Sequence, residues 1–478
     1  MAAANTVEVR KPKVTVPGES TDSIQYQASM PLSEGAPSIR YSSHGAGSDS
    51  VENPTASELI QKVAQAQNAM FEEPTKNTIT MEDGSGNSAT FNGYDTGPHH
   101  DIMFGGVNNG KNLVHRCSRL AYINTSIYRP AREAVVGEVI EKAASAANPC
   151  AALKLILEEI IAQFLQSRQE PEGTTDFEVR NKIHEANKKI IDEEWYPILD
   201  ASTESGINDF SAVASKTSIQ LTMYNSIRSV YLSGSNDFSV IIAQFETMFQ
   251  MCFVPGHMGQ DPGKFIPMSA KLSNPEDREV NIVSLSMNPG PRKFLSPTAV
   301  AVRGAPNAQP PVAGQVTRPA GYDMITWPES LPASGQTVVI QMPSWLPQEL
   351  YPLQIPKTGN NLDFDSNYQS VQSAQQESAD AATLVANICK DIARLTYNDI
   401  SLASASASIN CPFDVSWEIG KRYSVKQPST GSGGGSVLFS GFLRTVTHRV
   451  SSSPARAEAI TQLIFSHVEA NGFTLPNK

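Results

Sequence analysis

Cysteine is scarce in this chain, and the spacing of its cysteines excludes the site types that depend on them. The 478 residues contain 5 cysteines, an odd number, and no two of them form a Cys-x-x-Cys pair. This pattern argues against a disulfide framework and against a zinc site built mainly from thiolates. Most of these residues have apolar or helical neighbours, which predicts small buried side chains at Cys117, Cys150, Cys252, Cys389 and Cys411.

Long hydrophobic runs and long basic runs are also lacking. No segment approaches the roughly 20 uninterrupted apolar residues that span a bilayer, and the N-terminal segment lacks the apolar core of a secretory signal. We therefore expect no membrane anchoring and synthesis in the cytoplasm. The 37 Lys and Arg residues stand against 48 Asp and Glu residues, a net charge of −11, and no basic run exceeds Arg10–Lys13. That balance argues against specific nucleic-acid binding, which needs clustered cations along the phosphate backbone.

Motifs of catalytic and metal sites are missing as well. The chain contains neither His-Glu-x-x-His nor Gly-x-Ser-x-Gly, and the Gly-rich stretch Phe253–Phe265 lacks the phosphate-binding patterns. Pro98–Asp101 places two histidines beside a carboxylate, but no cluster with metal-ligand spacing follows, so we interpret it as a solvated polar loop. The acidic pairs on predicted amphipathic helices are interpreted as solvated faces. We therefore predict no catalytic residue, no cofactor and no metal site.

The length allows two to four domains, and the composition changes along the chain. Residues 1–54 are poor in large apolar groups and predict an extended or disordered arm, or one that orders on a neighbouring subunit. The changes predict four further units: a helix with a loop-rich segment (55–128), a helical or mixed domain (129–254), a Pro-rich β domain (255–362), and a helix with a C-terminal β-barrel domain (363–478). The predicted fold class is therefore α+β and multidomain, with small antiparallel β-barrels and helical insertions.

The last two predicted strands are Phe439–Val450 and Ala459–Glu469, joined by a hairpin loop. Both carry apolar side chains on both faces, which suits a small barrel whose outer face meets another subunit. Each strand also contains a histidine, His448 in the first and His467 in the second. Without a cluster of ligands around them, we interpret both as polar strand positions beside a backbone or hydroxyl partner.

The order of motifs in the last quarter of the chain is informative. An Ala-rich helix from Ala379 leads into "NCPFDVSWEIGKRYSV", a Gly/Ser loop, "FSGFLRTVTHRV" and "AITQLIFSHVE". This layout resembles the C-terminal part of the baseplate hub proteins of tailed phages and related contractile injection systems. The matching positions are Ile419-Gly420, Phe439-Ser440-Gly441, Val446-Thr447-His448 and Ser466-His467-Val468.

The resemblance implies a structural virion protein of the tail baseplate. Its expected form is a homotrimeric ring that joins the tail tube protein to the central spike and contacts other baseplate proteins. A barrel that is apolar on both strand faces needs partners, which agrees with this expectation. The predicted assembly residues are Phe439, Gly441, Phe442, Val446, His448, Ile464, Phe465, His467 and Val468.

Two alternatives stay open at this point. A tail-associated cell-wall hydrolase would use Pro98–Asp101 or the Glu-rich helices, although no compact domain with a clustered acid and base is evident. A glycan-binding tail protein would stack sugars on Trp327, Trp345 and Tyr351, although aromatic residues beside prolines more often pack against loops.

Overall fold

The computed structural model describes 18 β-strands and two α-helices with both ends defined. The described residues are single positions or short stretches within 57–64, 146–158, 178–186 and 200–212, residue 258, and the ranges 12–17, 23–30, 37–43, 76–103, 106–115, 238–256, 263–290, 297–305, 323–329, 336–346, 364–428, 435–453 and 456–473. None of the helices in these ranges is long and apolar enough to cross a membrane.

The described elements are mainly antiparallel strands. Among the described residues, the α-helices with both ends defined are α1 (Phe238–Phe249) and α2 (Phe364–Ala403), a 3-10 helix lies at Met268–Leu272, and residues 149–155 are also helical. The strands are β1 (Lys13–Thr15), β2 (Ser23–Ser29), β3 (Ser38–Ser43), β4 (Lys76–Glu82), β5 (Ser88–Met103), β6 (Gly106–His115), β7 (Asp200–Ala201), β8 (Met251–Val254), β9 (Lys264–Pro267), β10 (Glu276–Glu279), β11 (Ser284–Asn288), β12 (Ala299–Ala305), β13 (Asp323–Trp327), β14 (Thr337–Gln341), β15 (Ser406–Pro412), β16 (Arg422–Gln427), β17 (Ser436–Ser453) and β18 (Arg456–Ala470).

One 12-stranded sheet dominates the fold. Its order is β1-β4-β5-β6-β3-β2-β17-β18-β15-β11, and β16 and then β10 branch from β17. Two three-stranded sheets accompany it, in the orders β13-β12-β14 and β7-β9-β8. The main core is built on the large sheet, where residues from β2, β15, β16, β17 and β18 are buried together.

The predicted closed barrel is wrong for the described strands, because their order has free ends at β1 and β11. The long strand β17 explains the open form. Along one edge it pairs with β18, and along the other it pairs first with β16 and then with β2. Register shifts after Ser440 and Leu443 separate these two pairings, since a bulge bends a strand and increases its twist. The sheet therefore divides at β17.

The predicted disordered arm is wrong for three segments of residues 1–54. Strands β1, β2 and β3 belong to the large sheet, and β2 pairs with β17 of the same chain. The alternation in "SIQYQAS" directs Ile24, Tyr26 and Ala28 into the core, where each is at most 4% exposed. An inward-facing set of this kind stabilises a strand despite a polar composition around it.

The loop-rich interpretation of Met81–Asn112 is also wrong. This stretch contributes to β4, β5 and β6, which pair antiparallel in succession. Pro98–Asp101 therefore lies in a strand rather than in a loop, with Pro98 at a register shift opposite Lys111. A shift of this kind is one of the places where a sheet tolerates proline. Upstream, residues 57, 60, 61 and 64 are helical, as the predicted helix requires.

The proline-rich segment 255–362 does not form one sheet. Strand β9 pairs with β8, β10 and β11 join the large sheet, and β12, β13 and β14 form a separate sheet. Local patterns predicted the strands but not their partners, because pairing depends on residues far away in the chain. Most of the predicted helical or mixed region 129–254 lies outside the described residues.

The predicted helices are confirmed in α1 and α2, with one exception. Helix α2 buries Val385, Ile388 and Ile392, each at most 1% exposed, as their helical spacing predicts. The helical spacing of Ile241, Phe245, Met248 and Cys252 predicts one helix through Cys252. Helix α1 instead ends at Phe249, and Cys252 lies in β8. The buried cysteines are confirmed for four positions, and Cys117 lies outside the described residues. Burial raises the pKa of the Cys389 thiol to about 12.

Candidate functional site

The predicted C-terminal hairpin is confirmed as strands β17 and β18. Both strands extend beyond the predicted bounds, and the register runs to the pair Ser453 and Arg456. The connection is thus shorter than the predicted hairpin loop. The hairpin contacts β2, β15, β16 and α2, so its side chains connect several parts of the chain.

His448 lies in the core of the sheet. Its ring is fully buried and stacks on Tyr26 with centroids 5.3 Å apart, and Phe413 contacts it edge-on at the same centroid distance. The Nδ1 atom of His448 and the Oγ1 atom of Thr461, its partner across the hairpin, are 2.9 Å apart. The predicted hydroxyl partner is therefore confirmed, and the contact with Tyr26 also joins β2 to the hairpin.

His467 occupies a different environment at the other end of the hairpin. Its Nε2 atom lies 2.9 Å from Asp399 Oδ1 in α2, and its Nδ1 atom lies 3.0 Å from the hydroxyl of Ser466. The backbone of His467 has a φ of 53°, a conformation that is uncommon for residues other than glycine. The Nζ atom of Lys271 donates to the same carboxylate oxygen at 2.7 Å. Asp399 thus connects α2 to both β18 and the 3-10 helix.

Burial sets the charges in this cluster. It lowers the pKa of the His467 imidazole, and the hydrogen bond to Asp399 offsets only part of that effect. Burial would raise the pKa of the Asp399 carboxyl, but the hydrogen bond from His467 and the charge of Lys271 outweigh it. The pKa of Asp399 therefore falls to about 2. A neutral imidazole that donates from Nε2 and accepts from Ser466 satisfies these contacts.

Asp399 should make stability depend on pH. The pKa of Asp399 is about 2 in the folded state, and its ordinary value is 3.8. The ionised carboxylate therefore stabilises the folded state at pH values above 3.8. The contribution, about 2 kcal/mol, is lost as the pH falls from about 5 to 2. We expect Asp399→Asn to flatten the free energy of unfolding over this range, measured by urea denaturation at several pH values.

Lys271→Met provides a second measurement of the same effect. Without the ammonium group the pKa of Asp399 should rise, which reduces the same acid-dependent loss. A wild-type slope in both variants would show that Asp399 has no lowered pKa.

Arg422 forms a second polar connection within the core. Its side chain is 1% exposed, and its Nη2 atom lies 2.7 Å from Glu469 Oε2. Its Nη1 atom donates to the carbonyl oxygen of Lys271 at 2.6 Å. A guanidinium group presents several donors in a fixed plane, which suits simultaneous contact with a carboxylate and a carbonyl. Arg422 therefore fastens the 3-10 helix to β16 and β18.

Two motif glycines are required by close packing. Gly420 has a φ of 79°, and an added Cβ atom would lie 2.5 Å from Val254 Cγ1. A Cβ atom on Gly441 would lie 3.1 Å from the Cβ atom of Phe465. The first contact joins the turn before β16 to β8, and the second lies inside the hairpin. Both positions serve the packing of this chain.

Eight of the nine predicted assembly positions are buried within this chain. Ile464 has the exposed side chain of the set, at 37%. The buried positions are Phe439, Gly441, Phe442, Val446, His448, Phe465, His467 and Val468. In this structure the hairpin pattern builds the core of the chain, and the role of these residues in assembly stays a prediction.

Sequence reasoning predicted a strand near β11 but did not single out its exposed apolar side chains as a candidate surface. All five of its residues are exposed, and Leu285 and Met287 are 40% and 41% exposed. Val283, just before the strand, is 68% exposed. The signal was present in the alternation of Val283, Leu285 and Met287 with polar residues and in the lack of charge between them. That alternation did not reveal which edge of the sheet the strand would occupy.

A cleft of about 1100 Å³ opens beside the Asp399 cluster. Side chains from α1, the 3-10 helix, α2, β14 and the hairpin line it, including Glu246, Lys271, Asp399 and His467. Burial raises the pKa of the Glu246 carboxyl to about 7, although a hydrogen bond from the amide of Phe253 and the charge of Lys271 act in the opposite direction. Two carboxyl groups with opposite pKa shifts therefore line one cleft.

The remaining predicted sites have different outcomes. Trp345 is fully buried, and its indole nitrogen donates to the carbonyl oxygen of Met248 at 2.8 Å, so it packs the fold as the packing interpretation predicts. Trp327 is half-buried, and Tyr351 lies outside the described residues. The side chains of Pro98–Asp101 also lie outside them. Within the described part of the chain, no group of three potential ligands could hold a metal ion.

Comparison with known proteins gives weak similarity to tail proteins. No protein-family model and no curated protein matches the chain. The 43 kDa tail protein of prophage MuSo2 from Shewanella oneidensis is 8% identical, with a TM-score of 0.41, over 96% of this chain and 99% of that one.

Two further structures are similar at the same level. A tail protein from Neisseria meningitidis MC58 is 9% identical, with a TM-score of 0.39, over 96% of both chains. The Francisella PdpA-VgrG complex in its half-lidded form contains a chain that is 7% identical, with a TM-score of 0.34, over 94% of this chain and 54% of that one. Since these TM-scores lie below 0.5, the residues of this chain alone carry the functional inference.

Proposed function

We propose that this chain is a structural protein of a virion tail, a baseplate hub that forms a homotrimeric ring between the tail tube and the central spike. The observation that carries the proposal is the placement of the hub-like motifs. Gly441 and the pair His448–Thr461 lie between the two strands of the hairpin, His467 joins the hairpin to α2 through Asp399, and Gly420 packs against Val254 of β8. This agrees with a framework role for the motif rather than a catalytic one.

The exposed apolar surface supports an assembly role. Val283, Leu285 and Met287 lie at the free end of the large sheet, and Ile464 is exposed on β18 of the same sheet. An exposed edge strand without charged side chains favours pairing with another chain. In a subunit of a ring, such a surface is covered by the neighbour.

The oligomeric state tests the proposal first. Purified protein should elute as a trimer, with light scattering giving three times the mass of one chain at micromolar concentration. Cryo-electron microscopy of tail particles that contain the protein should then find a ring on the tail axis. A stable monomer at all concentrations, or density away from the axis, would contradict the proposal.

A second candidate function, glycan hydrolysis, is favoured by the cleft. The raised pKa of Glu246, about 7, and the lowered pKa of Asp399 are shifts of the kind that a general acid and a stabilising carboxylate need in glycoside cleavage. Under the hub proposal the purified protein has no activity on peptidoglycan. Hydrolysis of purified cell walls that Glu246→Gln abolishes, in a variant with an unchanged circular dichroism spectrum, would replace the structural proposal with an enzymatic one.

A further inference from the structure

The free end of the large sheet presents an unprotected strand edge. Among the described strands, β11 pairs with β15 on one side. Leu285 and Met287 lie opposite Ile409 and Ala407, which are buried. The core face of the sheet therefore continues onto β11 and ends there, with apolar side chains that are 40% and 41% exposed. One more strand beside β11 would cover these side chains.

A second edge of the same kind lies on another sheet of the chain. Strand β14 pairs in parallel with β12 and ends the described order β13-β12-β14. It also has five residues, "TVVIQ", none of them charged, and Val339 is 50% exposed. Exposed residues alternate with half-buried residues along β14, as expected for a regular strand with one face toward solvent.

The opposite end of the large sheet is different. Strand β1 is three residues long and begins with the exposed Lys13. Short length and an edge lysine are the features by which proteins prevent edge pairing. The two uncharged five-residue edges, β11 and β14, lack these features. Among the strands that the structure describes, both edges therefore lack a partner on one side.

We propose that β11 of one copy pairs with β14 of the next copy, which extends the large sheet of one subunit by the small sheet of its neighbour. The occupant of the β11 edge is thus a second copy of this chain. The two edges differ in sequence and in sheet, so the contact is heterologous. A heterologous contact closes a ring when its rotation closes, and the inference therefore rests on the proposed ring.

Two complementary variants test this contact. Leu285→Lys/Met287→Lys places charges on the β11 edge and leaves β14 intact, whereas Val339→Lys does the reverse. Each variant alone should be a monomer at concentrations where the wild-type protein is a trimer. Mixed in equal amounts, they should form a 1:1 dimer, because one intact β11 and one intact β14 remain. Light scattering and native mass spectrometry measure both results.

Matched controls separate this inference from the proposed function. Phe473→Lys changes a residue that is 50% exposed outside both edges, and it should leave the trimer intact. If both edge variants stay trimeric, or Ile464→Lys alone dissociates the trimer, the β11–β14 contact is wrong and the ring is built elsewhere. If only the β11 variant dissociates, β11 contacts a surface other than β14 of the next copy, and the β11–β14 contact is wrong. A monomeric wild-type protein would contradict both proposals.

Discussion

Replacing Trp417 by alanine is expected to lower the free energy of unfolding by about 3–5 kcal/mol, the usual cost of deleting a buried aromatic side chain. The indole is fully buried. It contacts the rings of Tyr423 and Phe465 edge-on, with centroids 4.9 and 6.2 Å away, and the guanidinium carbon of Arg278 lies 4.7 Å from its centroid. Alanine would leave a cavity between β16, β18 and the segment before β16. Urea denaturation followed by circular dichroism measures the loss.

Trp417→Phe is the matched control. The Nε1 atom of Trp417 is buried and has no hydrogen-bond partner in the described part of the chain, so phenylalanine removes no hydrogen bond. Phenylalanine also keeps most of the apolar volume of the side chain. Trp417→Phe should therefore lower the free energy of unfolding by much less than Trp417→Ala does. Equal losses in both variants would mean that the cavity is not the cause.

Arg422→Met is expected to cost about 3 kcal/mol, because breaking a buried ion pair leaves one charge without compensation. Glu469, whose side chain is 18% exposed, would keep a carboxylate beside a hydrophobic neighbour, and the carbonyl of Lys271 would lose its donor. Methionine retains the length of the aliphatic stem, so packing changes little. The same denaturation experiment gives the loss.

Two further variants isolate the charge. Arg422→Met/Glu469→Gln removes both charges, and the double variant should be more stable than Arg422→Met alone. Lys426→Met breaks an exposed ion pair with Asp277 and should have little effect, since exposed pairs contribute little. If the double variant is the least stable of the three, the ion pair itself contributes net stability and the uncompensated charge is not the cause.

Local patterns predicted the elements with strong periodicity. The hairpin of β17 and β18 and the apolar face of α2 were predicted because their repeats of two and of three to four residues are long. Strand β2 has the same repeat in "SIQYQAS", but the polar composition of residues 1–54 concealed it. The pairing of β2 with β17 depends on contacts between residues far apart in the chain, such as the contact of Tyr26 with His448. A local sequence pattern does not show such contacts.

The polar cluster was beyond sequence reasoning for a different reason. Asp399, Lys271 and His467 come from a helix, a 3-10 helix and a strand. Each has ordinary neighbours in the sequence, and only the fold brings them together. The predicted assembly residues show the opposite case, since the hairpin pattern was recognised but its side chains are buried in the chain's own core. An apolar residue in a strand predicts that its side chain is buried. It does not predict whether the same chain or a second subunit buries it.

The pairing of β2 with β17 has a kinetic consequence. Met30 and Arg444, which join these strands, are 414 residues apart, and loops of this length close slowly during folding. A ribosome that adds about 5–20 residues per second needs on the order of tens of seconds to supply the second strand after the first. During that interval β2 can pair with β3 and Tyr26 can contact Phe91, but the edge and the ring contact that β17 supplies are missing. The burial of β2 is therefore complete only after the last strands of the chain have been synthesised.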